Sequence, residues 1–510
     1  MFPTDRRRFL ATTGAGLLGG AAASLGDLGF LGRLPKVSAA EANGSDMVPL
    51  RPEIEPLVRL IEESPRDKVI EVVANRIRSG VSYRELLAAL FLAGVRNIQP
   101  RPAVGFKFHG VLVVNSAHLA SISSPDEHRW LPIFWTLDYF KATQARDVQE
   151  GDWHMRPVDE SKVPTPTEAI KAFTHAMDSW DEEAADTAVA GLARSAGANE
   201  ICELFYRYGA RDFRSIGHKA IFVANAFRTL QTIGWEHSEP ILRSLAYALQ
   251  NRGGDRNPAE NDLLADRPWR RNQQLVGKFR PDWTAGKTDP QATRDLLASL
   301  RTGDYAEVCD EIVRISNEGY HPQVLWDAVF LGAGELLLRQ RGIVALHAMT
   351  TANALHYAYL WAKDDNTRKL MLLQAASFLP LFRDAMTQRG RVQQLDITAL
   401  EPEDAPGEGP EAVTQLFAGL AGDRMAAARK TLSVLKHQPP EALVEAGRVL
   451  VFLKGDDAHD YKFSSAVLED CYYVSPAWRD RFMAASVYNL HGADERDNAL
   501  VNRIRAALET

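Results

Sequence analysis

Four stretches decide the fold: His109-Gly-Val-Leu-Val-Val-Asn-Ser-Ala, His218-Lys-Ala-Ile-Phe-Val-Ala-Asn-Ala, His347-Ala-Met-Thr-Thr-Ala-Asn-Ala and His459-Asp-Tyr-Lys-Phe-Ser-Ser-Ala. Each is a histidine heading a run of small and apolar residues, which reads as a buried helix rather than a half-exposed strand. The steps between the histidines are 109, 129 and 112 residues. Upstream of each lie two more shared landmarks. Arg51-Pro-Glu, Thr165-Pro-Thr-Glu, Asp289-Pro-Gln and Gly409-Pro-Glu each open an amphipathic segment. About 30 residues later, Tyr83-Arg-Glu-Leu-Leu, Ala198-Asn-Glu-Ile-Cys, Pro322-Gln-Val-Leu and Pro440-Glu-Ala-Leu start another. A Leu-rich or aromatic helix closes each unit, near Ile133, Ile241, Leu370 and Arg481.

Order, spacing and residue type therefore agree at several points in four units of about 110 residues, the pattern of a helical repeat. The expected fold is all-α: four helical-bundle repeats forming an α-solenoid or a closed α/α ring. The boundaries follow from the landmarks: repeat 1 over 43–160, repeat 2 over 161–250, repeat 3 over 289–400, and repeat 4 with its acidic, Pro/Gly-rich linker over 401–510. The polar, Arg/Asp/Gly-rich stretch 251–288 explains the long middle step and reads as an insertion loop. Equivalent positions of a closed array face one interior space.

Residues 1–42 read as an address rather than as fold. Asp5-Arg6-Arg7-Arg8-Phe9-Leu10 is similar to the twin-arginine (Tat) export motif, followed by a Gly/Ala/Leu stretch that Asp27 interrupts, with Ala40-Glu41-Ala42 offering small residues for cleavage. That resemblance implies export to the periplasm or beyond, with the Tat translocase as a transient partner and a chain folded before transport. No later stretch approaches 18 uninterrupted apolar residues, so no membrane span is expected in the mature chain.

Composition narrows the chemistry. The chain of 510 residues carries 59 Lys plus Arg against 66 Asp plus Glu, a net charge of −7, which gives no electrostatic case for nucleic acid. Three cysteines, far apart in sequence, make neither a disulfide framework nor a Cys-rich zinc site. There is no Gly-x-Ser-x-Gly, no Gly-x-x-x-x-Gly-Lys-Ser/Thr phosphate loop and no Gly-x-Gly-x-x-Gly after a strand.

The histidines remain. His128 follows His109 by 19 residues and His237 follows His218 by 19, each after a glutamate, whereas His356 follows His347 by nine. The expected metal-ligand set is His109, His128, His218, His237, His347 and His459, because imidazole binds metal through one ring nitrogen while a carboxylate or carbonyl orients the other. Imidazole and carboxylate without cysteine suit non-haem iron, copper, manganese or zinc; bis-histidine haem is a further reading. His459, His347 and His218 are the expected catalytic groups, with Asp457 or Asp460 orienting His459. Asn115, Asn225 and Asn353 recur six or seven residues after the histidines, to tie helices together or to touch a ligand. Trp130, Trp135, Trp235, Trp326 and Trp361 with Tyr139, Tyr357 and Tyr359 are core or pocket aromatics. Arg267, Arg270, Arg271, Lys278 and Arg280 form a basic group in the insertion, a solvated loop or an anion-binding lid.

Asp456-Asp457-Ala458-His459-Asp460-Tyr461-Lys462, Leu346-His347-Ala348-Met349-Thr350-Thr351 and Ile216-Gly217-His218-Lys219-Ala220-Ile221 together resemble the questin oxidase-like family, helical oxygenases of aromatic polyketides. The third segment lacks the second histidine of that family's pattern. The resemblance implies a monooxygenase-type oxidoreductase acting on a small organic, aromatic substrate. Two other readings stand beside it: a helical-repeat scaffold binding another exported protein, and an oxygenase that needs no cofactor.

Overall fold

The computed structural model describes residues 47–101 and 106–509; the twin-arginine motif and its leader lie outside the described residues. The first quarter of this region holds α1 (Glu55–Glu63), α2 (Val69–Arg78), α3 (Tyr83–Asn97), a rod made of α4 (His109–Leu112) and α5 (Val114–Ile122), and α6 (Leu131–Glu150). The second holds α7 (Ala169–Ser179), α8 (Glu182–Ser195), α9 (Ala198–Ala210), α10 (His218–Ile233) and α11 (Ser238–Leu249). After the insertion and its α12 (Arg267–Leu275) come α13 (Pro290–Thr302), α14 (Tyr305–Asn317), α15 (Pro322–Arg339), α16 (Ile343–Trp361) and α17 (Asp365–Thr387). The last quarter holds α18 (Gly409–Ala418), α19 (Arg424–Val434), α20 (Pro440–Lys454), α21 (Ala458–Asp470) and α22 (Pro476–Val487), followed by α23 (Leu500–Glu509). The fold is all-α. Among the described residues there is no strand, only an isolated bridge between Lys287 and Tyr320.

Local chemistry sets the helix starts. Ser82 with Glu85, Asp304 with Glu307, and Asp457 with Asp460 are capping boxes, each satisfying backbone N–H groups that a first turn leaves unpaired. Proline occupies the first turn of α13, α15, α20 and α22, where its missing N–H costs nothing.

The fourth rod of each quarter carries the landmark histidine, and these four rods make the centre. α5 packs on α10, α10 on α16, α16 on α21 and α21 on α5, a closed cycle. α10 and α16 are buried over most of their surface, as expected for helices apolar all round. Polar ties run round the same cycle: Asn115 Nδ2 donates to Asn225 Oδ1 (3.4 Å), Arg228 to Asn353 Oδ1 (3.1 Å), Asn353 Nδ2 to Asp470 Oδ1 (2.8 Å) and Ser465 to Ser116 (2.9 Å). The recurring asparagines thus join neighbouring central helices. The last helix also returns to earlier ones, with α23 packed on α2 and α6, and with Arg503 bonded to Glu71 at 2.8 Å.

The stretch 251–288, expected as a loop, contains α12 and two short 3-10 turns. Pro268 at a first-turn position and the apolar contacts of Leu275 and Trp283 support that order in a polar sequence. Its basic group is not an open anion site. Arg267 and Arg270 pair with Asp262, Arg271 with Asp310, and Arg280 with Asp282. Trp283 is buried and donates to Asp365 at 2.7 Å. No described helix is long and apolar enough to cross a membrane.

Candidate metal centre

His109, His218, His347 and His459 converge at the N-terminal ends of the central helices. Their rings form a closed quartet, with centroids 5.1 Å apart for His109 and His218, 4.4 Å for His218 and His347, 5.2 Å for His347 and His459, and 4.5 Å for His459 and His109. One ligand-capable nitrogen from each of His109, His347 and His459 falls within a common 4.8 Å. His218 Nε2 lies 3.3 Å from His109 Nε2 and 3.1 Å from His347 Nε2.

Three of the rings are oriented by the start of their own helices. At α10, the turn Ile216-Gly217 runs through left-handed backbone (φ +42° and +82°), bringing the carbonyl of Ser215 to His218 Nδ1 at 2.8 Å. A side chain at Gly217 would also strike Thr351 of α16. At α16, the carbonyl of Ile343, one turn back, takes His347 Nδ1–H at 2.6 Å. At α21, the capping carboxylate Asp457 bonds both the backbone N–H of His459 (2.7 Å) and its Nδ1 (2.6 Å). Asp457 is therefore the orienting carboxylate, while Asp460 closes the capping box and pairs with His491 at 3.2 Å. Gly110, beside His109, lets that rod approach Thr143.

Carbonyl oxygens accept only, so the Nδ1 atoms of His218 and His347 must carry their protons and their Nε2 atoms present lone pairs. Two lone pairs then face one another at 3.1 Å with no hydrogen between. A proton is disfavoured there. Burial holds both rings well below the usual imidazole range, and the neighbouring Lys462 and histidines push the same way. A cation bound by both lone pairs removes the conflict. Imidazole nitrogens about 2.0–2.1 Å from a common ion stand roughly 3.3 Å apart at the tetrahedral angle. The two Nε2 contacts of His218 fit that spacing. They do not fit a haem, because rings in mutual contact leave no room for a macrocycle.

Three landmark rings are sealed, while His459 keeps 22% of its side chain exposed, so the quartet meets solvent along its Asp457 edge. Next to that edge lies a cavity of about 530 Å³ whose walls include Trp135, Tyr139, Asp456 and Arg503. Trp135 stacks on Tyr139 (4.9 Å) and on Tyr461 (4.3 Å), two residues beyond His459. Lys462, one turn past His459, is buried with its Nζ unbonded, and desolvation brings its ammonium down to about 7 against the opposing pull of Asp457. Lys462 was visible in the motif around His459, but its position toward the quartet was not.

The expected ligands His128 and His237 are not part of the quartet. Both sit in 3-10 turns beyond the far ends of the central rods, and 13–16 helical residues span about 20 Å. His128 packs on Phe452, with Glu127 3.5 Å away, while His237 lies among Arg51, Glu53, Arg84 and Glu236. The 19-residue spacing reflected helix length, not a shared site. His356 likewise belongs to the far end, ringed by Trp326, Phe330, Tyr359 and Tyr473. Compared with family models, with curated proteins and with solved structures, the chain matches none, so the assignment of chemistry rests on this geometry.

Proposed function

We propose that the four-histidine quartet is a non-haem metal centre and that the protein is an exported oxidoreductase of oxygenase type acting on a small organic substrate. The single observation behind the metal is the 3.1 Å contact between two Nε2 lone pairs whose Nδ1 protons are already committed to carbonyls. A set of imidazoles with one carboxylate in support suits iron, copper, manganese or zinc. When bound, such an ion supplies Lewis acidity or, if redox-active, one-electron chemistry.

The chain's own residues have separate duties in this reading. The carbonyls of Ser215 and Ile343 hold two rings in the ligating tautomer, and Asp457 does so for His459. The sealed rings exclude water from three sides. Substrate reaches the fourth side through the cavity beside Trp135 and Tyr139, whose flat faces suit an aromatic or otherwise unsaturated molecule. The oxidative character comes from the resemblance of the Asp456–Lys462, His347 and His218 segments to questin oxidase-like proteins. Export comes from the twin-arginine motif at Arg6 and Arg7.

Elemental analysis of the purified protein, with its visible and paramagnetic resonance spectra, is the test. About one iron, copper, manganese or zinc per chain is expected, lost in His218→Ala with the helical circular dichroism kept. A metal-free protein that takes up none of the four ions would refute the centre. Were such a protein to co-purify with a partner, the scaffold would be the better description.

A further inference from the structure

The far end of the central helices holds a second cavity, of about 300 Å³, walled by Asn115, Arg228, Asn353, His356, Trp361 and Glu469 among others. It is distinct from the quartet: Asn115 and Asn353 each follow their landmark histidine by six residues, about 9 Å of helical rise. His356 is 5% exposed, lines this cavity and makes no hydrogen bond to any described residue. A polar ring that deep without a partner points to a ligand. Burial holds His356 near 3, so at neutral pH the ring offers one N–H donor and one lone pair.

The charges in the wall are one of each sign. Arg228 donates to Glu469 Oε2 at 2.6 Å and to Asn353 Oδ1 at 3.1 Å. Asn353 Nδ2 also donates to Glu469 Oε2, at 2.8 Å, which leaves Glu469 Oε1 for another donor. Nearby Asp470 is buried, and desolvation raises it well above the usual carboxylate range, so it adds no charge. Asn115 Oδ1 is a further buried acceptor without a partner. At the rim, Leu360 and Trp361 are 44% and 57% exposed, apolar surface that a small ligand would cover.

From this arrangement we infer that the second cavity binds a zwitterion, an α-amino acid with an apolar side chain. Its ammonium meets Glu469 Oε1, its carboxylate meets Arg228 and the N–H of His356, and its side chain lies on Leu360 and Trp361. A net-neutral wall favours a net-neutral ligand, because a lone anion would meet Glu469 as its like and a lone cation would meet Arg228. The volume suits a single amino acid.

Calorimetric titration of the full chain with L-phenylalanine tests this, with phenylacetate and phenethylamine as the two half-probes. L-phenylalanine should bind at least about tenfold more tightly than either half, the worth of one charged contact. Glu469→Gln, which can keep the bonds to Arg228 and Asn353, and Trp361→Ala at the exposed rim should each weaken it about tenfold. Binding of L-phenylalanine that is absent, no tighter than a half-probe, or indifferent to both variants would overturn the inference. Removal of metal from the quartet should leave this binding unchanged, so it can fail or succeed independently of the metal centre.

Discussion

The two ends of the same four central helices solve opposite problems. At the N-terminal end, four imidazoles meet, two of them direct Nε2 lone pairs at one another, and three have their other nitrogens tied back to Ser215, Ile343 and Asp457. At the C-terminal end, asparagines, Arg228 and Glu469 face one another as donor to acceptor, so most of that layer is satisfied internally. A layer whose polar atoms pair among themselves holds helices together. A layer whose acceptors oppose each other needs something from outside. The difference teaches where to look for a cation, and it marks His356 and Asn115 Oδ1 as exceptions in the other layer.

The strongest way to break that contrast is His347→Ala. It removes one lone pair of the 3.1 Å contact, and metal content should fall from stoichiometric to background by elemental analysis. The Ile343 carbonyl keeps the backbone N–H of residue 347, and the fully buried ring leaves a cavity, at a cost of about 2–5 kcal/mol in urea unfolding. Full retention of metal would mean that the quartet is not the ligand set.

Gly217→Ala comes next. Left-handed backbone and the Thr351 side chain both oppose a Cβ there, so a loss of about 2–3 kcal/mol is expected, with metal weakened as His218 shifts. An unchanged melting temperature would show that the helix start is more adaptable than its geometry implies. Asp457→Asn keeps a cap and an acceptor but removes the charge behind His459, and metal affinity measured by chelator competition should fall about 10–100-fold.

At the far end the effect is read in pH. Burial holds His118 near 4 and His356 near 3, below an unfolded imidazole at about 6.5. The unfolded chain therefore binds more protons between those values. Stability is fully present above about 6.5 and falls as pH drops, each ring contributing up to about 1.4 kcal/mol per pH unit. His356→Gln should flatten the acid slope of urea stability by about one proton. A slope that does not change would mean that His356 is solvated.

Much of the architecture was legible because it is local. Tyr83, Ala198, Pro322 and Pro440 head helices in the positions their capping and proline signals indicate, and all four landmark histidines stand in the opening turns of helical segments. The asparagine recurrence carried a true structural meaning. The insertion was harder to read, since α12 is a polar helix ordered by a few tertiary contacts such as Trp283 with Asp365. Lys462 was legible as a motif member, and its burial was not.

The amino-acid order alone determined that the chain is helical and where its helices begin, and it narrowed the carboxylate behind His459 to Asp457 or Asp460, because caps and first turns depend on residues a few positions apart. It also drew His128 and His237 into a set with the landmarks, because periodicity in sequence carries no direction in space. Only the tertiary structure decided that imidazoles as far apart as His109 and His459 touch, while residues 19 positions from a landmark lie a helix length away. The physical reason is that closure of the central cycle is a sum of long-range packing contacts between α5, α10, α16 and α21, and no local signal encodes which ends of those helices will meet.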